Sequence, residues 1–220
     1  RIDPSEYRIR DANIDNFLKA AKYLASKGIY VLRMGSIVER SLPEAKDQRI
    51  IDYATKYRSD FMDIYLLARC KFLLSTTSGV WAAAAMLDTP IAGTNFFHLH
   101  TPYKKTDLFI PKKVWSKKEK RFLTFIEILD WQHEVGHPAG YVSTEDVRKA
   151  GLKVVENTPN EILALAREMN ECIDGTHRYT KEDKILQKKF HTLIRPYHNI
   201  YGTPASIGAK FLRENKKLLA

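Results

Sequence analysis

Four consecutive hydroxyl side chains and a glycine form the most distinctive polar stretch of the sequence: Ser75, Thr76, Thr77, Ser78 and Gly79. Hydroxyl groups donate hydrogen bonds to anions, and a glycine lets a ligand approach the backbone closely. If a helix begins here, the free N–H groups of its first turn and the helix dipole attract an anion, most often a phosphate. We therefore interpret residues 75–79 as a phosphate-binding turn. The alternative is that Thr77 or Ser78 only caps the helix and that nothing binds.

The segments on both sides of this turn have the composition needed to position it. Residues 72–74 form a short apolar run typical of a strand buried on both faces, and residues 80–86 are rich in alanine, which favours a helix. Residues 59–69 precede the strand and predict a helix capped by Ser59 or Asp60. In that helix we expect three side chains to face the core: Ile64, Leu67 and Ala68.

A second candidate follows the strand predicted over residues 29–32. Gly35 lies just past the end of this strand, and ligands of open α/β sheets bind where parallel strands end. Arg33 carries the planar guanidinium group that pairs with a phosphate through two hydrogen bonds. The alternative for Arg33 is a surface ion pair with Glu39 or Asp47. We take Arg33 and Gly35 as candidate binding residues.

A third candidate follows the strand predicted over residues 91–94. Asn95 and His98 come directly after it, in a stretch that also contains two phenylalanines. His98 or the nearby His100 has the chemistry to contact a sugar or a phosphate, although a histidine among aromatic residues is also a common structural residue. We include Asn95 and His98 in the candidate site.

The order of the predicted elements indicates an α/β fold with a Rossmann-like parallel sheet flanked by helices. Strand and helix patterns alternate through the first hundred residues, as in doubly wound sheets. In such a sheet the three candidate segments converge at one edge. Beyond residue 100 we expect strands at residues 108–111 and 152–156 and helices at residues 122–131, 144–150, 158–173, 183–194 and 206–219.

The composition is that of an ordinary globular chain, and we expect residues 1–220 to form a single domain. Hydrophobic residues make up 44% and charged residues 28%, which allows a sizeable core. The formal net charge is +10, and part of it lies in residues 112–121 and in the C-terminal helices. A basic surface suits nucleotides, nucleic acid, anionic lipid headgroups or phosphorylated acceptors, and it does not choose among them.

Several classes of protein are disfavoured by what the sequence lacks. No apolar run approaches the ~18 residues of a membrane span, and no secretory signal is visible. The chain begins with Arg1 rather than methionine, which is compatible with a fragment or a processed product whose partner domain lies upstream. Cys70 and Cys172 are interpreted as reduced core thiols of a cytosolic protein. No Cys/His grouping has zinc-ligand spacing, so we expect no metal site.

The stretch from Ser59 through the turn to Pro90 resembles the C-terminal, donor-binding half of GT-B glycosyltransferases, in particular bacterial ones associated with surface-polysaccharide genes. The shared pattern is a helix, an apolar strand, a small polar turn with glycine, an alanine-rich helix, a proline and a strand. Residues 30–35 resemble the same group, and the resemblance covers residues 8–100 and, more loosely, the helix near Thr158. Heptosyltransferases of this fold carry Asp-Thr-Gly at the turn, where this chain has Thr-Ser-Gly, so the identity of the donor does not carry over.

The resemblance implies two Rossmann-like domains with the active site between them, of which this chain is one. The diphosphate of a nucleotide-sugar would lie over residues 76–79, and the helix dipole, backbone N–H groups and Arg33 would stabilise the charge that develops on it. The resemblance implies no dinucleotide cofactor, because the nucleotide-sugar is a substrate, and usually no bound metal. The general base would come from the other half, so we assign no catalytic residue. Helices from about residue 180 would pack on that missing domain.

The expected function is transfer of a sugar from a nucleotide-sugar to a saccharide or lipid-linked acceptor in the cytoplasm, with peripheral contact between basic residues and the inner membrane. One alternative is a basic, non-catalytic module that binds nucleic acid or an anionic surface. Nucleic acid is disfavoured because no RRM, KH, OB or helix-turn-helix signature is present. Another alternative is a different phosphosugar enzyme, such as a nucleotide-sugar epimerase, whose NAD-dependent form is disfavoured by the absence of a G-x-G-x-x-G turn.

Overall fold

The strands of this chain are short, and most of them are parallel. The computed structural model describes residues 9–43, 47–97, 104–136 and 141–220. In chain order the strands are β1 (Val31–Leu32), β2 (Ile50–Ile51), β3 (Leu73–Ser75), β4 (Ile91–Phe96), β5 (Leu108–Pro111), β6 (Lys113–Ser116), β7 (Arg121–Phe122), β8 (Leu152–Val155) and β9 (Ser206–Ile207).

Helices connect these strands and cover the sheet. They are α1 (Leu18–Ser26), α2 (Tyr53–Lys56), α3 (Asp60–Arg69), α4 (Gly79–Met86), α5 (Phe125–Val135), α6 (Thr144–Lys149), α7 (Pro159–Ile173), α8 (Lys181–Leu193) and α9 (Ala209–Glu214). Short 3-10 turns at Ile14–Phe17 and Lys216–Leu219 precede α1 and follow α9.

The central sheet has four strands in the order β3-β4-β5-β9, and every neighbouring pair in it is parallel. Strands β1 and β2 form a separate parallel pair, and β7-β6-β8 form a small antiparallel sheet that the sequence patterns did not predict. The expected α/β fold, a Rossmann-like parallel sheet flanked by helices, is confirmed by this arrangement. In this sheet β3 and β4 are neighbours, and Ser75 at the end of β3 pairs with Gly93 of β4.

The main core lies between the central sheet and helices from both halves of the chain. It includes Phe96 and Phe109 on the sheet and Phe190 on α8, whose rings contact one another or the neighbouring Phe125. A second cluster joins α1 to α7 through Ala20 and Ile162, with Val31 and Leu74 packed against it. Because Val31 lies on β1 and Leu74 on β3, the separate β1-β2 pair is held beside the central sheet by the same two helices.

Side chains cap the predicted starts of α3 and α7, whereas α5 begins three residues later than predicted. Ser59 accepts a hydrogen bond from the backbone N–H of Met62 at the start of α3, as predicted. Thr158 and Glu161 form the reciprocal capping box that opens α7. Thr180 opens α8 with a similar box, so that α8 starts two residues earlier than predicted. None of the helices in the described part of the chain combines the length and apolar character that a membrane crossing requires.

Several predictions of burial are wrong. In α3 only Leu67 is buried, whereas Ile64 and Ala68 are exposed, because this helix contacts its own domain along one narrow face. Cys70 is exposed at the end of α3, and Cys172 is half-buried, so neither is a core thiol, although both are free.

Lys112, which was counted with the basic surface, is instead buried, and it donates a hydrogen bond to the backbone oxygen of Asp11. Burial lowers the pKa of Lys112, and the charges of Glu156 and Asp11 oppose that shift.

The last stretch of the chain also differs from the prediction of one helix over residues 206–219. Ser206 and Ile207 form β9, which pairs with β5, and only then do α9 and the final 3-10 turn follow. Two residues are too few for a strand period to show in the sequence. The helices after residue 180 pack into the main core of this domain, through side chains that include Leu186, Phe190 and Leu212.

Candidate functional site

Residues 75–79 join the end of β3 to the start of α4, in the strand–turn–helix geometry that was predicted. Ser75 is the last residue of β3, and Gly79 is the first of α4. Ser78 is the N-cap, with its hydroxyl oxygen accepting a long hydrogen bond of 3.4 Å from the N–H of Trp81. The Ser75 hydroxyl donates to the backbone oxygen of Thr76 over 2.8 Å. Capping and a local turn therefore account for two of the four hydroxyl groups.

No neighbouring atom of the protein requires residue 79 to be a glycine. A Cβ added at Gly79 would meet no heavy atom within 4 Å, and the residue is exposed. Gly79 also begins a helix of eight residues, so its first-turn N–H groups lack partners within the helix. Space and backbone donors are therefore present together at the start of α4.

Two buried polar atoms near the ends of β3 and β4 have no hydrogen-bond partner: Thr77 Oγ1 and Asn95 Nδ2. Thr77 lies two residues after Ser75, and Asn95 two residues after Gly93, the position that pairs with Ser75. Both atoms thus lie where neighbouring parallel strands end, the edge at which open α/β sheets bind ligands. Buried polar groups normally find partners, so an unpaired one calls for a local explanation. A ligand that supplies an acceptor at this edge is one such explanation.

Asn95 is not in a loop after the strand, as was expected, but inside β4 and 1% exposed. Its backbone is left-handed, with φ of +54°, a conformation that asparagine tolerates better than most residues. The Asn95 N–H donates to Asn157 Oδ1 over 2.6 Å, and the Asn157 N–H donates back to Asn95 Oδ1 over 2.8 Å. Asn157 Nδ2 also donates to the backbone oxygen of Pro111. The two amides therefore tie the ends of β4 and β5 to the start of α7.

Arg33 forms an ion pair, but neither with Glu39 nor with Asp47. Its Nη1 lies 3.3 Å from Asp52 Oδ1 and donates to the backbone oxygen of Arg40 over 2.6 Å. The Arg33 side chain is only 10% exposed, so this pair is not on the surface as the alternative supposed. Arg33 thus holds the segment before residue 43 against the start of α2, and in this structure its contacts are structural.

Asp52 is the residue around which this segment is organised, and the sequence analysis missed it. Its Oδ2 accepts hydrogen bonds from the Leu42 N–H and the Thr55 hydroxyl, over 2.8 and 2.7 Å. Burial opposes ionisation, but these donors and Arg33 outweigh it and hold the pKa of Asp52 below its ordinary value. No local pattern pairs Asp52 with a residue nineteen positions earlier.

Gly35 has φ of +144°, in a region that other residues rarely adopt, and a Cβ there would lie 3.0 Å from Val38 Cγ1. Its conformation is therefore required by the turn after β1. His98 and His100 lie outside the described residues. Two of the three candidate segments lie on neighbouring strands of the central sheet, because residues 75–79 follow β3 and Asn95 lies near the end of β4. Arg33 and Gly35 follow β1, which belongs to the separate β1-β2 pair and not to the central sheet.

A buried histidine elsewhere pairs with a partly exposed aspartate, as in some catalytic sites, but both of its ring nitrogens have protein partners. His198 has a completely buried side chain, and its Nε2 lies 2.8 Å from Asp130 Oδ1. Its Nδ1 accepts the Arg195 N–H over 2.9 Å, which places the ring proton on Nε2. Tyr197 donates to the same carboxylate. Burial opposes ionisation of Asp130, yet the donors His198 and Tyr197 keep its pKa below the ordinary value. Both ring nitrogens have protein partners, so we interpret this pair as structural.

Two observations complete the description of the site. Among the described residues, no three His, Cys, Asp or Glu side chains are grouped so as to hold a metal ion. A shallow, open depression lined by Tyr30, Asp47, Gln48 and Arg49 lies at the amino ends of β1 and β2, away from the ends of β3 and β4.

Comparison with protein-family models, with curated proteins and with solved structures finds no match for this chain.

Proposed function

We propose that this chain is the donor-binding domain of a glycosyltransferase, in which the diphosphate of a nucleotide-sugar lies at the start of α4. The sugar would pass to a saccharide or lipid-linked acceptor, such as a surface polysaccharide, in the cytoplasm. The proposal combines the resemblance of residues 59–90 to GT-B enzymes with the Rossmann-like sheet on which those residues lie. The resemblance, not the fold, supplies the activity, since one fold hosts many functions.

The observation that carries the proposal is the pair of unpartnered buried atoms at the ends of β3 and β4. Asn95 Nδ2 is a donor, and Thr77 Oγ1 can donate through its hydroxyl proton. A diphosphate offers many acceptor oxygens, and α4 directs its free N–H groups toward the same turn. A bound diphosphate would therefore satisfy groups that the protein leaves without partners.

The chemistry that this arrangement would serve is stabilisation of a leaving group. When the bond between the anomeric carbon and the diphosphate oxygen breaks, negative charge accumulates on the diphosphate. Fixed N–H and O–H donors at the start of α4 would stabilise that charge more in the transition state than in the ground state. Arg33 lies at the end of β1 with Nη1 committed to Asp52 and Arg40, so its part would be limited to its positive charge. We assign no general base within this chain.

The test is a thermal-shift screen of the protein with UDP, GDP, ADP and CMP. At a concentration of about 100 times Kd, a ligand stabilises the folded state by about 2.7 kcal/mol, and each kcal/mol raises Tm by about 2–4 °C at this chain length. We expect at least one diphosphate to raise Tm by about 5–10 °C on these figures. CMP, a monophosphate, should give a smaller shift.

Thr77→Val is the variant that separates binding from folding. It removes a hydroxyl without an internal partner, so the ligand-free Tm should stay the same or rise slightly, while the diphosphate shift should fall by more than half. Ser78→Ala and Arg33→Ala are less suitable, because Ser78 caps α4 and Arg33 pairs with Asp52. Thr176→Val, which changes the same group at an exposed turn, is the matched control and should keep the full shift.

Two outcomes would contradict the proposal. If Thr77→Val keeps the full diphosphate shift, the nucleotide binds somewhere other than this turn. If none of the four nucleotides raises Tm while a single-stranded oligonucleotide does, the chain is better described as a basic binding module without sugar-transfer activity.

A further inference from the structure

Helix α8 presents a row of lysines on its outer face. Counting from the first of them, they lie at positions 0, 3, 7 and 8, which share one side of a helix. All four are exposed: Lys181, Lys184, Lys188 and Lys189. The opposite side of α8 is buried in the main core through Leu186 and Phe190. The lysine face is therefore fixed in orientation and turned away from the domain.

Within the described part of the chain, no carboxylate forms an ion pair with a lysine of this face. The two acidic residues of α8 lie at its start, where Asp183 is buried against Arg213 and Glu182 pairs with Lys216. On the neighbouring α9, Glu214 pairs with Lys210 at 3.6 Å. Like charges one turn apart weaken a helix slightly, so the lysine row carries a small cost that nothing inside the domain offsets.

An exposed isoleucine lies in the middle of the row. Ile185 is 66% exposed and directly follows Lys184 along the chain. The exposed positions of α8 include neither an arginine nor an aromatic side chain. Binding sites for single-stranded nucleic acid usually stack bases on aromatic rings, and binding sites for phosphate esters often use arginine forks. Lysines around a single aliphatic side chain instead suit a lipid surface, where the aliphatic group enters the interface between charged headgroups.

From this charge pattern we propose that the outer face of α8 docks on an anionic phospholipid bilayer. The row from the first to the last lysine is about 12 Å long at 1.5 Å per residue, so that all four ammonium groups reach one plane of headgroups. Each lysine at such a surface strengthens binding by about fivefold. The proposal does not depend on sugar transfer, since it uses no residue at the ends of β3 and β4.

The experiment is co-sedimentation of the protein with vesicles. Neutral phosphatidylcholine vesicles are compared with vesicles that contain about 30% phosphatidylglycerol, at about 0.1 M and about 0.5 M NaCl. We expect binding only to the anionic vesicles and a clear loss at the higher salt. The double variant Lys184→Gln/Lys188→Gln should weaken binding by about 25-fold, because it removes two of the four contacts.

The matched control is Lys117→Gln/Lys118→Gln, which removes the same charge from the exposed turn after β6. It should change binding by less than about threefold, since only long-range attraction is lost. Equal losses in both double variants would overturn the proposal, because net charge and not α8 would then drive binding. Absence of any preference for anionic vesicles would overturn it as well.

A further variant separates lipid from other polyanions. Ile185→Ser should weaken vesicle binding severalfold and leave binding to a single-stranded oligonucleotide unchanged, because only a bilayer has an apolar interior to receive the side chain. If Ile185→Ser has no effect on vesicles, or if the α8 lysine variant loses oligonucleotide binding while vesicles never bind, the lipid assignment is wrong.

Discussion

Asn95 and Asn157 differ in how fully their amide groups are used. Asn157 accepts from one backbone N–H and donates to a backbone oxygen, so that its side chain is satisfied. Asn95 accepts through Oδ1 but leaves Nδ2 without a partner, although the residue is 1% exposed. The Asn157 amide therefore supports the fold alone. The Asn95 amide also supports the fold, but its Nδ2 group remains without an acceptor. Such local inconsistency is expected at functional positions rather than in an ordinary core.

Replacing Asn157 by alanine tests the structural half of this pair. The variant would leave the buried N–H of Asn95 and the backbone oxygen of Pro111 without partners. Each unsatisfied buried group costs about 1–3 kcal/mol, so we expect the two together to lower the free energy of unfolding, measured by urea denaturation, by about 2–6 kcal/mol. Asn160→Ala, at an exposed position of α7, is the control and should cost less than about 1 kcal/mol. Equal losses would contradict the assigned role.

What the sequence predicts at this scale depends on how local the interaction is. Ser59 was identified as a candidate cap because a cap bonds to residues within one turn of its own helix. Asp52 and Asn157 were missed because their partners Arg33 and Asn95 lie 19 and 62 positions away. Hydrogen bonds that cross from one strand end to another follow from the fold and leave no spacing to detect.

At the scale of elements, α7 supplies the cap that α9 lacks. Gly208 precedes α9 and has no side chain to cap it, but Glu168 of α7 accepts the Ala209 N–H through Oε2 over 2.8 Å. Glu168 is 4% exposed, and its Oε1 is buried without a hydrogen-bond partner. Burial raises the pKa of Glu168, and the donors Ala209 and Tyr179 only partly oppose this. The contact between α7 and α9 therefore includes a carboxyl group that resists ionisation.

Glu168→Gln should make stability less dependent on pH. In the unfolded chain the carboxyl ionises near its ordinary pKa of 4.5, whereas in the folded chain its pKa is higher. Between the two pKa values the folded state binds more protons, so the stability of the parent falls as pH rises through this window. Glutamine keeps an acceptor for the Ala209 N–H and carries no charge. We expect the variant to be more stable than the parent at neutral pH and to lose this advantage below about pH 4.5.

The measurement is urea unfolding at several pH values between about 4 and 8 for the parent, Glu168→Gln and the control Glu214→Gln. Glu214 is exposed on α9, so its substitution should leave the pH profile unchanged. If Glu168→Gln is instead less stable than the parent at neutral pH, the ionised carboxylate stabilises the start of α9 and the direction of the pKa shift is wrong.

Two elements show where hydrophobic spacing misleads. In α3 the residues at positions i, i+3, i+4 and i+7 are apolar, yet this face is solvent-exposed, and Phe61 stacks on Tyr65 with ring centroids 6.0 Å apart. Spacing identifies a helix face but does not tell whether anything covers it. In residues 206–219 the helical pattern is real for α9, but it hides the two residues of β9.

At the scale of the molecule, the beginning and the end of the chain share one core. Leu73 of β3 and Ile91 of β4 belong to the same cluster as Phe211 and Leu219 near the C-terminus. The alternation of strands and helices in the first hundred residues was enough to predict a parallel sheet, but the strand that completes its edge comes from the last fifteen residues. Charge was less informative, because residues 112–121 contain the buried Lys112 beside exposed lysines.

If the C-terminal elements belong to this domain's own core, Ile207 is among the residues that hold it together. Ile207 is fully buried, lies on β9 and pairs with Phe109 of β5. Ile207→Ala should lower the free energy of unfolding by about 2–5 kcal/mol, the usual cost of emptying a buried aliphatic site. Ile185→Ala makes the same change on the outer face of α8, where the side chain is 66% exposed, and should cost less than about 1 kcal/mol. Similar small losses for both variants, measured by urea denaturation, would mean that residues 206–220 pack only loosely on the sheet.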